Sequence, residues 1–317
     1  MSILFISPAS LRDAARSSTI FLLTSEDGSG TLVTMSTAME FLQQSQNTDG
    51  GWGYRVQGMS YIEPTAAVIL ALADGAERAR GLSFLLSMQH ADGGWGIAAM
   101  DAESGWMTAW AVRALAQFPD ARPAATRGAQ WLIQTEGLRV TDAPTRAIIY
   151  ESLQINSTLL GWPWQPGDAA WVHPTALAML ALSAVGKSND ARVGAGLAYL
   201  LDRVVASGGW NVGNPMMLGK QVPATIQDTA ITLLALRAFG TSASDVRVSA
   251  ALGFLNDAMT RAKTAAELAW GIHALHDWGI DAGDAGARMN TLQSDAGGWM
   301  GNPFITAIAL LASQGPR

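Results

Sequence analysis

The stretch FLQQSQNTDGGWGY, residues 41–54, decides the fold because the chain repeats it. It returns as FLLSMQHADGGWGI at 84–97, and more loosely as YLLDRVVASGGWNV at 199–212 and RMNTLQSDAGGWMG at 288–301. Similarity that recurs at a fixed period of 20 to 50 residues indicates a repeat architecture. We therefore expect one supersecondary unit, copied along most of the chain.

The tryptophans set the period of the repeat. Trp52 and Trp95 lie 43 residues apart, whereas Trp210 and Trp299 lie 89 apart, which is two periods of about 44 with one Gly-Gly-Trp missing. Trp162 follows Trp95 by 67 residues, so the third repeat is irregular.

A second apolar segment of common form follows the Gly-Gly-Trp regions. It reads EPTAAVILAL at 63–72, WMTAWAVRAL at 106–115, HPTALAMLAL at 173–182 and QDTAITLLAL at 227–236. Dense Ala and Leu favour helix over strand. Pro64 and Pro174 stand in the first helical turn, where a missing N–H leaves no bond unmade. The unit is predicted to be helix, glycine-rich turn, helix.

The two helices of each unit differ in the environment that they need. The Ala/Leu helix is apolar nearly all round and has to be buried on both sides, while the Gln-bearing partner helix has one face for water. About six such hairpins closing on themselves give an all-α, single-domain α/α toroid over residues 34–317, with the Ala/Leu helices inside around a central cavity. An open superhelix satisfies the same pattern. Residues 1–33 are expected to be a helical segment packed on the ring.

Composition excludes several classes of function. A chain of 317 residues with 49% hydrophobic residues can bury a large core. Only 15% of the residues are charged and the net charge is -6, which argues against nucleic acid as a partner. The absence of cysteine removes disulfides and thiolate ligands. His273 and His276 stand three residues apart but have no placed carboxylate, so we predict neither a metal nor a cofactor.

We expect no targeting or spanning segment in the chain. Pro8 and Arg12 interrupt the apolar N-terminal clusters, and no cationic region precedes them. The longest aliphatic run, 176–182, is far shorter than the ~20 residues of a spanning helix. We expect a cytoplasmic protein, and peripheral contact with a membrane stays an open alternative.

The motif Gln46-x-x-Asp49-Gly50-Gly51-Trp52, echoed at 89–95, resembles the QW motif of squalene–hopene and oxidosqualene cyclases. The wider pattern, roughly 34–312, is similar to the α/α toroids of terpenoid cyclases and protein prenyltransferases. In that family the Gln and Trp are structural. The resemblance therefore implies a structural role for the tryptophans of the Gly-Gly-Trp motifs, at 52, 95, 210 and 299.

The family's acid motif is only partly kept. Class II cyclases carry Asp-x-Asp-Asp before Thr-Ala and an aliphatic helix, and this chain has Thr225-Ile226-Gln227-Asp228 at the corresponding place. The last Asp is retained as Asp228, whereas Gln227 replaces the Asp that protonates the alkene in the family. An amide cannot donate a proton to carbon. The zinc prenyltransferases fit less well because their metal site includes a cysteine.

An acid at another inner helix is the alternative. Aligning the inner helices on their shared threonine makes Glu63, Trp106, His173 and Gln227 equivalent, and in the cyclases this position points into the cavity. We therefore predict Glu63 and His173 as catalytic acid candidates, with Asp228 either capping its helix or orienting Gln227. A carboxylate at a helix N-terminus gains ~0.3–1 kcal/mol, so Glu63 is also explained as a cap. His173 is not explained in this way.

Aromatic residues fill the loops that lead into the inner helices. Together with Gln227 they are the candidate substrate-binding residues: Tyr54, Tyr61, Trp106, Trp162, Trp164 and Trp171. An aromatic face stabilises a cationic intermediate by ~0.5–2 kcal/mol. The same residues equally suit the binding of an apolar chain.

These features favour a metal-independent cyclase or isomerase. In this hypothesis a general acid starts intramolecular cyclisation or isomerisation of an apolar small molecule, such as an isoprenoid or a more easily protonated imine, enol or activated alkene. Full class II cyclases carry a second helical domain that this length does not accommodate, which argues against long polyenes. A non-catalytic toroid that binds isoprenoids or other lipids and a protein-interaction scaffold are the alternatives.

Overall fold

The computed structural model describes residues 29–314, with side chains from residue 37 onward. The prediction that residues 1–33 form a helical segment packed on the ring concerns mostly residues 1–28, which lie outside this range. The first described helix, α1, covers Ser29–Gln44, and so begins before the predicted domain boundary at residue 34.

Twelve of the helices in the described residues form six hairpins. The inner helices are α2 (Ile62–Ala71), α4 (Met107–Leu115), α7 (Val172–Ala184), α9 (Ile226–Ala238), α11 (Ala265–Asp277) and α13 (Pro303–Ser313). The outer helices are α1, α3 (Ala76–Ser87), α5 (Arg122–Gln134), α8 (Ala191–Asp202), α10 (Val246–Met259) and α12 (Ala285–Thr291). The remaining elements are α6 (Ala143–Leu153), a 3-10 turn (Pro119–Ala121), the pair β1 (Trp162–Pro163) with β2 (Ala170–Trp171), and the pair β3 (Met216–Met217) with β4 (Lys220–Gln221).

The inner helices form a closed ring. Each packs against the next in the order α2, α4, α7, α9, α11, α13, and α13 packs back against α2. Each outer helix from α3 onward lies against the inner helix that precedes it in the chain, and α1 lies against α13. The predicted all-α toroid is therefore confirmed, and closure rules out the open superhelix.

A tryptophan joins the two helices in five of the six hairpins. In the second copy, the Trp95 backbone N–H donates to Thr108 Oγ1 at 2.9 Å, and Trp95 Nε1 donates to the Leu85 carbonyl at 2.8 Å. The corresponding indole bonds, all 2.7–2.8 Å long, are made by Trp52, Trp95, Trp162, Trp210 and Trp299. All five side chains are buried. The hairpin of α10 and α11 is the one that lacks a Gly-Gly-Trp, as the spacing indicates.

Glycine on the outer helix makes room for this tryptophan. A Cβ on Gly128 would lie 2.7 Å from Trp95 Cζ3 and 2.5 Å from Val112 Cγ2. Gly81 and Gly196 stand in the same relation to Trp52 and Trp162. These contacts are closer than van der Waals packing allows, so each position needs a residue without a side chain.

The motif glutamines connect successive outer helices. Gln89 Nε2 donates to the Gly93 carbonyl at 2.8 Å and to the Ala124 carbonyl on α5 at 3.0 Å. In the irregular third repeat Arg192 takes this place, with its guanidinium 3.7 Å above the Trp162 ring and a 2.6 Å bond to the Gly161 carbonyl. These bonds give the QW residues a structural role, as the family resemblance implies.

Residues 136–161 explain the irregular spacing. They carry α6, which has no buried residue and contacts the β3 strand. Within residues 29–314 no helix has the length and apolar character needed to cross a membrane.

Candidate active site

The first turns of the inner helices form a set of positions that we call the rim layer. Each lies two residues before the shared threonine, or before its equivalent in α11: Glu63, Trp106, His173, Gln227, Ala266 and Phe304. Four residues further along, one helical turn deeper, lies a second set that we call the core layer: Ala67, Trp110, Leu177, Ile231, Trp270 and Ile308. All six core-layer residues are at most 2% exposed. The expected central cavity is therefore filled at this depth.

Glu63 is a buried carboxyl group with a specific hydrogen-bond donor. It is 8% exposed, and the Tyr54 hydroxyl donates to its Oε2. Burial raises the pKa of Glu63, although the Tyr54 hydrogen bond and the charge of His173 partly oppose that rise. Burial also raises the pKa of Tyr54, and the adjacent Glu63 carboxylate adds to this rise. The pair therefore favours a protonated carboxylic acid beside a neutral phenol.

Trp110, in the core layer, lies next to this acid. Its indole N–H contributes to lowering the pKa of Glu63, yet it makes no hydrogen bond of normal geometry. The Trp110 ring meets Phe304 edge-on at 5.7 Å between centroids and meets Trp270, on the opposite inner helix, at 6.5 Å. Aromatic rings therefore pack together on the inner helices next to Glu63.

His173 is held between two tryptophans and a carboxylate. Its ring is parallel to Trp164 at 5.6 Å and meets Trp106 edge-on at 5.9 Å. Its Nδ1 lies 3.5 Å from Asp228 Oδ1, and both side chains are buried. Thr225 Oγ1 donates to Asp228 Oδ2 at 2.8 Å. Asp228 is thus fixed by its own helix start and paired with His173.

This pairing differs from the two sequence-based interpretations of Asp228. The Asp228 backbone N–H donates to Thr225 Oγ1, so Thr225 is the cap of α9 and Asp228 is its partner. Gln227, the residue that Asp228 was expected to orient, is exposed. The relevant neighbour of Asp228 is His173, because α7 and α9 are adjacent in the ring.

The other predicted aromatic residues fall into two groups. Tyr61 lies 5.0 Å from Tyr54 between ring centroids, and Trp164 lies 4.7 Å from Trp106, so both belong to the rim. Trp162 occupies the structural position of its repeat, and Trp171 pairs with it across the β1–β2 ladder. A narrow aromatic crevice lies between α4, α5 and α7, and Trp106, Trp162 and Trp164 line it.

Sequence reasoning missed Trp110, Trp270 and Phe304. Helices that are apolar all round carry no stripe to show which face meets the ring centre, and α11 has no threonine to align. Thr306 was a usable signal, because extending the alignment to it places Phe304 in the rim layer. Among residues 29–314, no cluster of three or more His, Asp or Glu could hold a metal ion.

Comparisons with known proteins agree with this architecture. The profile of the squalene-hopene cyclase C-terminal domain matches residues 6–140. A variant of type II terpene cyclase MstE from Scytonema, in complex with geranylgeranyl dihydroxybenzoate, has a TM-score of 0.61 at 16% identity, covering 90% of this chain and 96% of that one. A protein from Actinoplanes has a TM-score of 0.60 at 17% identity, with 90% and 98% covered. The predicted resemblance to terpenoid cyclases is confirmed.

The fold is not restricted to one chemistry. The alpha-1,6-mannanase from Salegentibacter sp. HEL1_6 has a TM-score of 0.62 at 9% identity, covering 90% of this chain and 98% of that one. No curated protein matches the sequence. Function therefore has to be argued from the site and not from the fold alone.

Proposed function

We propose that this protein, which shares its toroid and its squalene-hopene cyclase profile with terpenoid cyclases, is an acid-initiated cyclase or isomerase of an isoprenoid-bearing small molecule. The observation that carries the proposal is the buried Glu63 carboxyl, whose pKa is raised by burial and which lies among aromatic rings at the rim of the inner ring. A carboxylic acid whose pKa is raised by burial is the kind of proton donor that starts such a reaction.

In the proposed first step, protonated Glu63 gives its proton to an alkene carbon. The O–H bond breaks, the π electrons form a C–H bond, and the other alkene carbon becomes a carbocation. His173 is placed to assist, because its positive charge favours the carboxylate that Glu63 becomes. The Asp228 carboxylate, 3.5 Å from His173 Nδ1, orients the His173 ring.

The following steps need shape and aromatic faces. Further double bonds of a folded substrate attack the cation, and loss of a proton from a neighbouring carbon to the Glu63 carboxylate, which gave up its own proton in the first step, restores an alkene. Product and substrate therefore have the same mass. Each aromatic face near the cation contributes ~0.5–2 kcal/mol. Trp106, Trp164 and Phe304 are the rings that we assign to this role, because they lie against His173 and Trp110.

The substrate class follows by analogy with the cyclase from Scytonema. This chain covers 96% of the solved chain that binds geranylgeranyl dihydroxybenzoate, so a second domain is not needed to bind a long prenyl chain there. That comparison removes the size argument against long polyenes. Geranylgeranyl dihydroxybenzoate is accordingly the first candidate substrate for this protein, followed by geranylgeraniol and squalene.

The test is turnover in D₂O. Conversion should yield a product with one deuterium from the solvent and otherwise unchanged composition, measured by liquid chromatography and mass spectrometry. Glu63→Gln should bind the substrate and lose turnover by at least ~100-fold, because it keeps the shape of the acid and removes its proton. Glu151→Gln, on the exposed face of α6, is the matched control and should keep full turnover.

His173→Gln should lower turnover less than Glu63→Gln does if His173 only assists the acid. Equal losses would assign the proton to the His173 imidazolium, and unchanged turnover in both variants would refute the proposed site.

A non-catalytic isoprenoid-binding protein is the second candidate. It is favoured by the core layer, in which Trp110 and Trp270 leave the ring centre filled. Saturable binding of all three candidate substrates without conversion would establish it in place of the enzyme.

A further inference from the structure

A third set of inner-helix positions, which we call the lower layer, contains an arginine. These positions lie five residues after the shared threonine or its equivalent: Leu70, Arg113, Leu180, Leu234, His273 and Leu311. Arg113 stands in the last turn of α4, one turn beyond Trp110. It is partly exposed, so the lower layer is reached by solvent at this point, unlike the core layer above it.

The Arg113 guanidinium has no acidic partner within the described part of the chain. Its Cζ lies 5.2 Å from the centroid of the Trp110 ring, which is the contact that the structure gives it. Burial lowers the pKa of Arg113 to about 10, so its surroundings disfavour the charge. The guanidinium nonetheless stays protonated at neutral pH, with N–H donors that no acidic side chain accepts.

Two further donors in the core layer lack a hydrogen bond of normal geometry. Nε1 of Trp270 is buried and makes no hydrogen bond, and the buried Nε1 of Trp110, beside the Glu63 carboxyl, makes none of normal geometry. Native proteins pair most buried polar groups, so each exception calls for an explanation. Here a guanidinium and two indole N–H groups come from neighbouring layers of one ring, and a ligand that supplies oxygen acceptors would satisfy them.

Two structural effects explain why a positively charged residue is stable at position 113. A cation is favourable in the last turn of a helix, and a guanidinium is attracted by an indole face. Both explain a positive charge at position 113. Neither supplies an acceptor to the guanidinium or to the indole N–H groups.

We propose that Arg113 is an anion-binding subsite that holds the ionised head group of an apolar, isoprenoid-type ligand. The assignment rests on the proposed function for the identity of the apolar part. Glu63 lies two residues before the shared threonine of its helix, and Arg113 lies five residues after the threonine of α4. Their positions along the ring axis therefore differ by seven residues of helix, or about 10 Å. A ligand that spans both layers displaces the contact between Trp110 and Trp270 and accepts from their N–H groups.

The test is equilibrium binding followed by tryptophan fluorescence, with turnover not required. The probes are farnesoic acid, which is ionised at pH 7.5, its neutral methyl ester, and farnesyl diphosphate. We expect the acid to bind at least ~10-fold more tightly than the ester, because a charge-assisted bidentate bond is lost in the ester. Arg113→Gln should remove this preference by weakening the acid alone, and Arg113→Lys should keep part of it.

The control variant is Arg261→Gln, on the exposed loop after α10, which should bind all three probes as the unchanged protein does. Farnesyl diphosphate distinguishes the anion: tighter binding than farnesoate assigns the subsite to phosphate, and weaker binding assigns it to carboxylate. Equal binding of acid and ester by the unchanged protein overturns the inference without use of any variant. So does binding of none of the probes, or an equal loss of both acid and ester in Arg113→Gln.

The inference and the proposed function fail separately. Farnesoate held through Arg113 with no cyclisation of any candidate substrate would refute the enzyme and keep the subsite. Cyclisation that depends on Glu63 with no preference for an anion would do the reverse.

Discussion

Glu63→Gln provides a test of the buried acid that needs no substrate. Burial raises the pKa of Glu63 in the folded protein above its ordinary value of 4.5, so the folded state binds this proton more tightly than the unfolded state. The stabilisation from that proton is fully present below pH 4.5 and is lost as the pH rises through the folded pKa. The amide that replaces the carboxyl group titrates at no pH. The variant should therefore gain stability relative to the unchanged protein as the pH rises.

The size of this effect follows from proton linkage. Between pH 4.5 and the folded pKa of Glu63 one proton separates the two states, so the free energies of unfolding diverge by up to ~1.4 kcal/mol per pH unit. Above the folded pKa the difference is constant. The groups that act on Glu63 are the Tyr54 hydroxyl, the Trp110 indole and His173, and the first two stay neutral over this range. His173→Gln in both backgrounds removes the contribution of the third.

Urea unfolding at pH values from 4 to 9 measures the two free energies. Glu267→Gln is the matched control, and its free energy of unfolding should change with pH in the opposite direction. Burial alone would raise the pKa of Glu267, but hydrogen bonds from the Thr264 side chain and from backbone N–H groups lower it, so this variant should lose stability above about pH 4.5. A difference between Glu63→Gln and the unchanged protein that does not vary with pH, or that favours the unchanged protein at high pH, would show that Glu63 is an ordinary ionised carboxylate.

Three further predictions separate stability from activity. Trp95→Ala should lower the free energy of unfolding by ~3–5 kcal/mol in urea denaturation and leave turnover per folded molecule nearly unchanged, because it empties an inter-helix site. Trp164→Ala should keep most of the stability but lower turnover by about 2- to 30-fold, the range of one cation–π contact; normal turnover would exclude Trp164 from the site. Tyr54→Phe removes a hydrogen bond that lowers the pKa of Glu63, so the pH at which turnover is half lost should move upward, and a downward move would contradict the assignment.

Most of the fold is predictable from the sequence because the same local bonds recur. The Gly-Gly-Trp turn, the threonine that accepts from the tryptophan N–H and the glycine on the outer helix are all visible as letters at fixed spacing. Ring closure is not visible, because the contact of α13 with α2 joins segments from opposite ends of the chain and leaves no local pattern. The structural role of Trp162 was hidden for a similar reason. Its indole donates to Leu132, 30 residues earlier, whereas Trp95 donates only ten residues back.

From the sequence, the position of a candidate site residue within its own helix could be predicted, but its contacts with other helices could not. Alignment on the threonine found Glu63 and His173, because residues that stand at one position of a repeat lie in one layer of the ring. Contacts between helices were not accessible, which is why Asp228 was expected to act on Gln227 instead of on His173. The unpaired Arg113 was present in the sequence as the only charge in its helix. Its significance depends on what surrounds it, and composition does not contain that information.

The position of Gln227 shows why an acid needs more than a place in the ring. By alignment it is the residue where terpenoid cyclases carry their proton donor, but here it is exposed, whereas Glu63 is buried against Tyr54 and Trp110. An aspartate at 227 would be solvated and close to its ordinary pKa, and hence ionised at neutral pH. Gln227→Asp introduced into Glu63→Gln should therefore not restore deuterium incorporation at pH 7. Recovery of turnover in that double variant would mean that position in the ring alone makes an acid, and that the donors and rings around Glu63 do not matter.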